Sequence, residues 1–210
     1  MRKAKIGDVF AVKVPNGYKL LQWAYDIDKY GTYVRVFDGL YPTIPANIAE
    51  IIDGPHSYIA DLFVGRAYRI GLLEWLGNYN VPEKYPFPEY AISFCPNQSG
   101  IAFIQIYTTI FASGFPQSFT FKVNSIMELP EQYRNVNLLH TSVSPDKLLY
   151  LFDNDFTPLC PKIFYPVFYW GDEWRNRYQV YIDIVADALG RDPKSKGLLK
   201  KYLQNTHFSS

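Results

Sequence analysis

Sulfur, histidine and charge of one sign are all scarce in this 210-residue chain. It has two cysteines, three histidines and a formal net charge of +1. Cys95 and Cys160 are 65 residues apart, without metal-ligand spacing, and define no disulfide framework. They suit a reduced, cytosolic chain in which each thiol acts as a small apolar side chain. His56, His140 and His207 are widely separated. None has a histidine, cysteine or carboxylate three or four positions further on, where a helix-borne metal site would carry it. A near-neutral balance excludes a dedicated binder of nucleic acid or of an anionic membrane, either of which needs a basic surplus. The lysines at 194, 196, 200 and 201 read as a solvated helix face. No run approaches the roughly 18 apolar residues of a membrane span. The charged N-terminus leads into a strand and not into an apolar signal core, so a soluble, cytoplasmic protein is expected. Phosphate-binding glycine loops and nucleophile elbows are absent as well.

What the chain has in excess is aromatic surface: 18 tyrosines and 15 phenylalanines raise the aromatic share to 18%. Residues of this kind favour pleated, half-buried surfaces. The stretch from Ile6 to Trp23 reads as a strand, a tight Pro-Asn-Gly turn and a second strand, with Asn16-Gly17 as the hairpin signal. Strands are expected over 6–14, 18–25 and 32–37, a meander of the kind that opens SH3-like barrels and many other sheets. Prolines at 42, 45 and 55 leave room only for short elements between 39 and 56. Two further strands are expected over 58–64 and 67–73, and an extended, ordered loop from Trp75 to Pro88. Strands over 90–95, 101–108 and 118–123 follow; the last alternates Phe119, Phe121 and Val123 with polar residues.

Helical signals begin near residue 126. Ser144-Pro145-Asp146 combines a cap, a first-turn proline and an acidic residue at the positive end of a helix. From Asp172 to Leu189, the residues Trp174, Tyr178, Tyr181, Ile182, Val185 and Leu189 fall on one stripe. A short final helix follows Ser195. The expected fold is α+β, a β-rich SH3-like barrel or bent antiparallel sheet over 1–125, with a helical region over 126–210 packed on it.

Chemistry is hard to find. The carboxylate pairs Asp26/Asp28, Asp153/Asp155 and Asp172/Glu173 sit at turns and helix ends, where capping and solvation account for them. Gly7-Asp8 reads as the start of a strand. No catalytic residue, metal ligand or cofactor is expected, and the chain does not read as an enzyme.

Two segments carry a resemblance. Ile6-Gly-Asp-Val-Phe-Ala-Val-Lys-Val14, a glycine turn and Tyr18-Lys-Leu-Leu-Gln-Trp23 form the first. The second is Glu74-Trp-Leu-Gly-Asn-Tyr-Asn-Val-Pro-Glu-Lys-Tyr-Pro-Phe-Pro-Glu-Tyr90. Over roughly residues 5 to 125 the chain resembles the immunity protein 26 family, whose members open on a Gly-Asp strand and carry a Trp before a Gly-Asn and a proline loop. The C-terminal helical region departs from that pattern. The resemblance implies a cytoplasmic, largely β protein encoded beside a polymorphic toxin, which it binds and blocks. On that reading the partner is a cognate protein toxin, with no nucleic acid and no membrane. The expected contact patch is Asp26, Asp28 and Asp38 beside the exposed-looking Tyr25, Tyr30 and Tyr41. The alternative is a small-barrel enzyme or nucleic-acid-processing protein, which needs a cleft joining His140 to Asp153 or Asp155.

Overall fold

The computed structural model describes residues 2–27, 31–96, 102–109, 118–122, 128–139, 145–154 and 172–206. The expected meander is present as β1 (Asp8–Val14), β2 (Gly17–Ile27) and β3 (Gly31–Val36), paired antiparallel. Val14 pairs with Gly17, so Pro15 and Asn16 form the two-residue turn and the glycine already belongs to β2. Gly17 answers to another demand. Its φ is +150°, and a Cβ there would lie 2.3 Å from the Tyr41 carbonyl oxygen, so only glycine admits the Tyr18–Tyr41 bridge beside it.

After β3 come a short helix α1 (Ile48–Asp53), β4 (Tyr58–Asp61) and a second short helix α2 (Val64–Arg69). The second strand expected over 67–73 is replaced by α2. Val64, Ala67 and Ile70 are buried at intervals of three, a helical repeat that the apolar run concealed. The extended loop expected from Trp75 is likewise a strand at its start, β5 (Leu73–Asn78). The prolines that break the ladder begin only at Pro82, which leaves the preceding residues free to pair with β1.

Next come β6 (Tyr90–Pro96), β7 (Ala102–Thr108) and β8 (Ser118–Lys122), then a two-residue strand β9 (Leu138–Leu139). Among the described residues, nine strands form one sheet in the order β5-β1-β2-β3-β4-β9-β6-β7-β8. The sheet is open, not closed into a barrel: β5 and β8 are its edges. The alternation over 118–123 suggests a half-buried strand, but β8, at the edge of the sheet, is mostly exposed. Its described anchors are Phe119 and Phe121, whose rings pack on Tyr133. Leu138 and Leu139 pair in parallel with β4 on one side and β6 on the other. The region after residue 126 is therefore not helical throughout, because it supplies the strand that joins the two halves of the sheet.

The helices are α3 (Pro145–Asp153), α4 (Asp172–Arg191) and α5 (Lys196–Thr206). On α4 the expected stripe is buried at Tyr178, Tyr181, Ile182, Val185 and Leu189; the Trp174 side chain lies outside the described part. This stripe joins Phe10, Val12, Leu21, Val34 and Tyr58 from the sheet in the main core. Two carboxylates of α3 tie it to α4, and one of them also to the sheet. Tyr178 donates to Asp146 Oδ2 at 2.7 Å, and Tyr181 donates to Asp153 Oδ2 at 2.6 Å. Asp153 also accepts the backbone N–H and the side-chain amide of Asn16, at 3.0 and 3.1 Å, docking the first hairpin turn on α3. The other face of the sheet carries smaller cores around Phe37 and Ile52, and around Tyr33 and Leu138. The segments through α1 and through Phe87 cover these.

Candidate functional site

The six expected contact residues do not gather in one place. Asp28 and Tyr30 lie outside the described residues. Asp26 is exposed and pairs with Thr32 near the end of the β2–β3 hairpin. Tyr25 beside it is half-buried, contrary to its exposed-looking sequence context. Its hydroxyl donates to the Tyr85 carbonyl at 2.6 Å, and its ring meets Phe87 edge-on at 5.1 Å. Burial pushes its pKa up. Asp38 and Tyr41 sit at the opposite end of β2, where Tyr41 bridges Tyr18. From Tyr18 to Tyr25 is roughly 23 Å of strand. Asp38 is exposed and accepts the Ser57 hydroxyl, while the half-buried Tyr41 donates to the Asp38 carbonyl at 3.0 Å. His140 and Asp155 are outside the described residues, and Asp153 is held by Asn16 and Tyr181 as above.

A different cluster is built where β1 starts. Strand pairing of β1 with the edge strand β5 brings Asp8 opposite Asn78. The approach of the two chains is close: a Cβ on Gly7 (φ +88°) would lie 2.7 Å from the Tyr79 carbonyl oxygen. Asp8 is fully buried and accepts five hydrogen bonds. Arg2 contributes two, Nη1 to Oδ2 at 2.8 Å and Nη2 to Oδ1 at 2.7 Å. The Lys5 N–H, the Asn78 amide and the Trp75 indole add the others, at 2.9, 2.9 and 3.3 Å. Burial on its own would raise the Asp8 carboxyl; the Arg2 pair and the other donors outweigh it and hold the pKa below the usual range.

The outward side of this cluster is apolar and cationic. Arg2 lies 4.4 Å above the Trp75 ring. Trp75 is 41% exposed and Ile6, whose carbonyl accepts from Asn78, is 49% exposed. The indole is fixed at one end by Asp8 and covered on one face by a guanidinium, so it is presented to solvent in a set orientation. A stacked Trp and Arg on an open sheet edge have the composition of an interface hot spot. The sequence signal for this cluster was available: an acid inside an apolar strand needs a cation, and Arg2 is close in the chain.

The second polar centre lies on the opposite face. Arg35 is fully buried, with Nε donating to His56 Nδ1 at 3.2 Å. Its Nη1 donates to Gln22 Oε1 at 2.8 Å and the Ile52 carbonyl at 3.1 Å, and Nη2 to the Gly54 carbonyl at 2.9 Å. Phe37 and Tyr85 lie over the guanidinium at 4.9 and 4.6 Å. Burial lowers the Arg35 pKa. The same burial, followed by the neighbouring Arg35 charge, lowers His56 to about 4. His56 is thus neutral near pH 7 and accepts at Nδ1 from Arg35, while its Nε2 lies 3.4 Å from Asn137 Nδ2. Gln22 donates to the Tyr79 carbonyl at 3.0 Å. This network fastens the segments through α1 and Tyr85 to the sheet, and its arginine has no exposure with which to meet a ligand.

Among the described residues, no group of three histidine, cysteine, aspartate or glutamate side chains is arranged to hold a metal. None of their helices is long and apolar enough to cross a membrane. Comparison with protein-family models, with curated proteins and with solved structures finds no match to this chain.

Proposed function

We propose that this chain is an immunity protein of the immunity protein 26 type. It binds a cognate protein toxin in the cytoplasm and covers the toxin's active surface. The observation that carries the reading is the Asp8 cluster. The two segments behind the family resemblance, one opening at Ile6-Gly-Asp and the other at Glu74-Trp, lie far apart in sequence and adjoin in space. Asp8 bonds directly to Trp75 and Asn78. With Arg2, which precedes both, they face outward as Trp75 and Ile6, and we take that edge as the toxin contact. An orientation set in advance removes part of the ordering cost of association. The order β5-β1-β2-β3-β4, with the short helix α2 before β5, supports an SH3-like strand connectivity for this half, the finer fold we propose, within a sheet that stays open.

The test is co-expression with the neighbouring genes, followed by affinity purification and mass spectrometry of any stoichiometric partner. A one-to-one complex with a toxin domain is expected. The patch read from sequence supplies the internal comparison: Asp26→Lys and Asp38→Lys probe it, and Trp75→Ala probes the edge. A protein that remains alone beside a toxin-like neighbour would overturn the reading.

A further inference from the structure

A cavity of about 550 Å³ lies where α2, α3, α4 and α5 meet the strands β1 and β5. Its size is within the ~300–1,000 Å³ typical of small-molecule sites. Its walls include Val12, Ile70, Leu73, Leu149, Phe152 and Val185, side chains of the main core. The apolar lining continues to the outside. Phe63 and Leu198 belong to it and are 73% and 37% exposed, two of the large apolar side chains that the fold leaves in water.

The charged residues of the lining are Asp61, Arg66 and Lys201. Of the two arginines on α2, Arg69 has a carboxylate in reach, Asp192 at 3.4 Å. Arg66 and Lys201 have no ion pair among the described residues and are both exposed. Asp61 Oδ1 is 3.4 Å from where a Cβ on Gly31 would stand, which turns this oxygen toward the start of β3. Two cations in the lining of a largely apolar space complement one ligand shape: an apolar chain ending in an anion. Neutral apolar ligands would leave both cations unused.

We propose that this cavity binds a single-chain amphipathic anion, a long-chain carboxylate, with its chain among Leu149, Phe152 and Val185 and its head beside Arg66 and Lys201. The inference is independent of toxin binding. It is tested on the full chain by isothermal titration with octanoate, decanoate and dodecanoate below their micellar concentrations, with decanol as the uncharged probe. One saturable site is expected, with affinity rising about fourfold per added methylene. Decanoate is expected to bind more tightly than decanol. The double variant Arg66→Glu/Lys201→Glu changes only exposed side chains and is expected to weaken decanoate by about tenfold while leaving decanol unchanged. Absence of saturable binding, or a decanoate affinity that the charge reversal does not move, would overturn the proposal.

Discussion

At the scale of single residues, two ionisable groups, the buried Asp8 and the half-buried His56, sit on the sheet's two faces, and each has a pH signature. Asp8 is stabilised as a carboxylate by five donors, so its pKa is lower folded than unfolded. Its contribution is complete above the unfolded value, near 3.8, and is lost as pH falls through the folded one. Asp8→Asn should cost about 2 kcal/mol at pH 7, the loss of charge-assisted bonds, and less at pH 2.5. Urea unfolding at the two pH values checks this; an equal cost at both would contradict the assignment. His56 is a base whose folded pKa, about 4, is below the ordinary 6.5. Here the unfolded chain takes up the proton first, so stability present above pH 6.5 declines as pH falls toward 4. His56→Gln should flatten that part of the stability profile. A wild-type profile with no slope there would mean the ring is not held neutral as described.

At the scale of elements, legibility followed the length of the repeating pattern. The opening meander and α4 were readable because alternation or a helical stripe ran through many residues. Over Ala67 to Leu73 the sequence pattern suggests a strand because a run of seven residues, five of them buried or half-buried, does not distinguish a short helix from a strand. The two-residue β9 offers no period to read, and its parallel partners come from distant parts of the chain. For α4 the packing makes a sharp expectation. Ile182 is buried in the main core, so Ile182→Asp places an unpaired charge there and should cost roughly 4 kcal/mol or more, enough to unfold or aggregate a protein of ordinary stability. Circular dichroism melting of the variant is decisive, since an unchanged melt would show that this helix does not pack on the sheet.

At the scale of the whole molecule, one sheet separates a main core, an arginine-fastened second face and an outward-facing Trp–Arg edge. The candidate site was only partly legible. Both segments that build it were noticed in the sequence, but as a resemblance, because nothing local reveals that Asp8 and Trp75 adjoin across the β1–β5 ladder. The acidic residues chosen by residue type are divided between the two ends of β2 because strand geometry, not composition, sets their separation. The central claim is that the Trp75 edge contacts a toxin. It is tested most directly by the dissociation constant of the complex with the neighbouring toxin, measured for wild type and for Trp75→Ala of equal thermal stability. The account predicts that the truncation weakens binding by 2 kcal/mol or more, about thirtyfold. A variant that binds as tightly as wild type would contradict it.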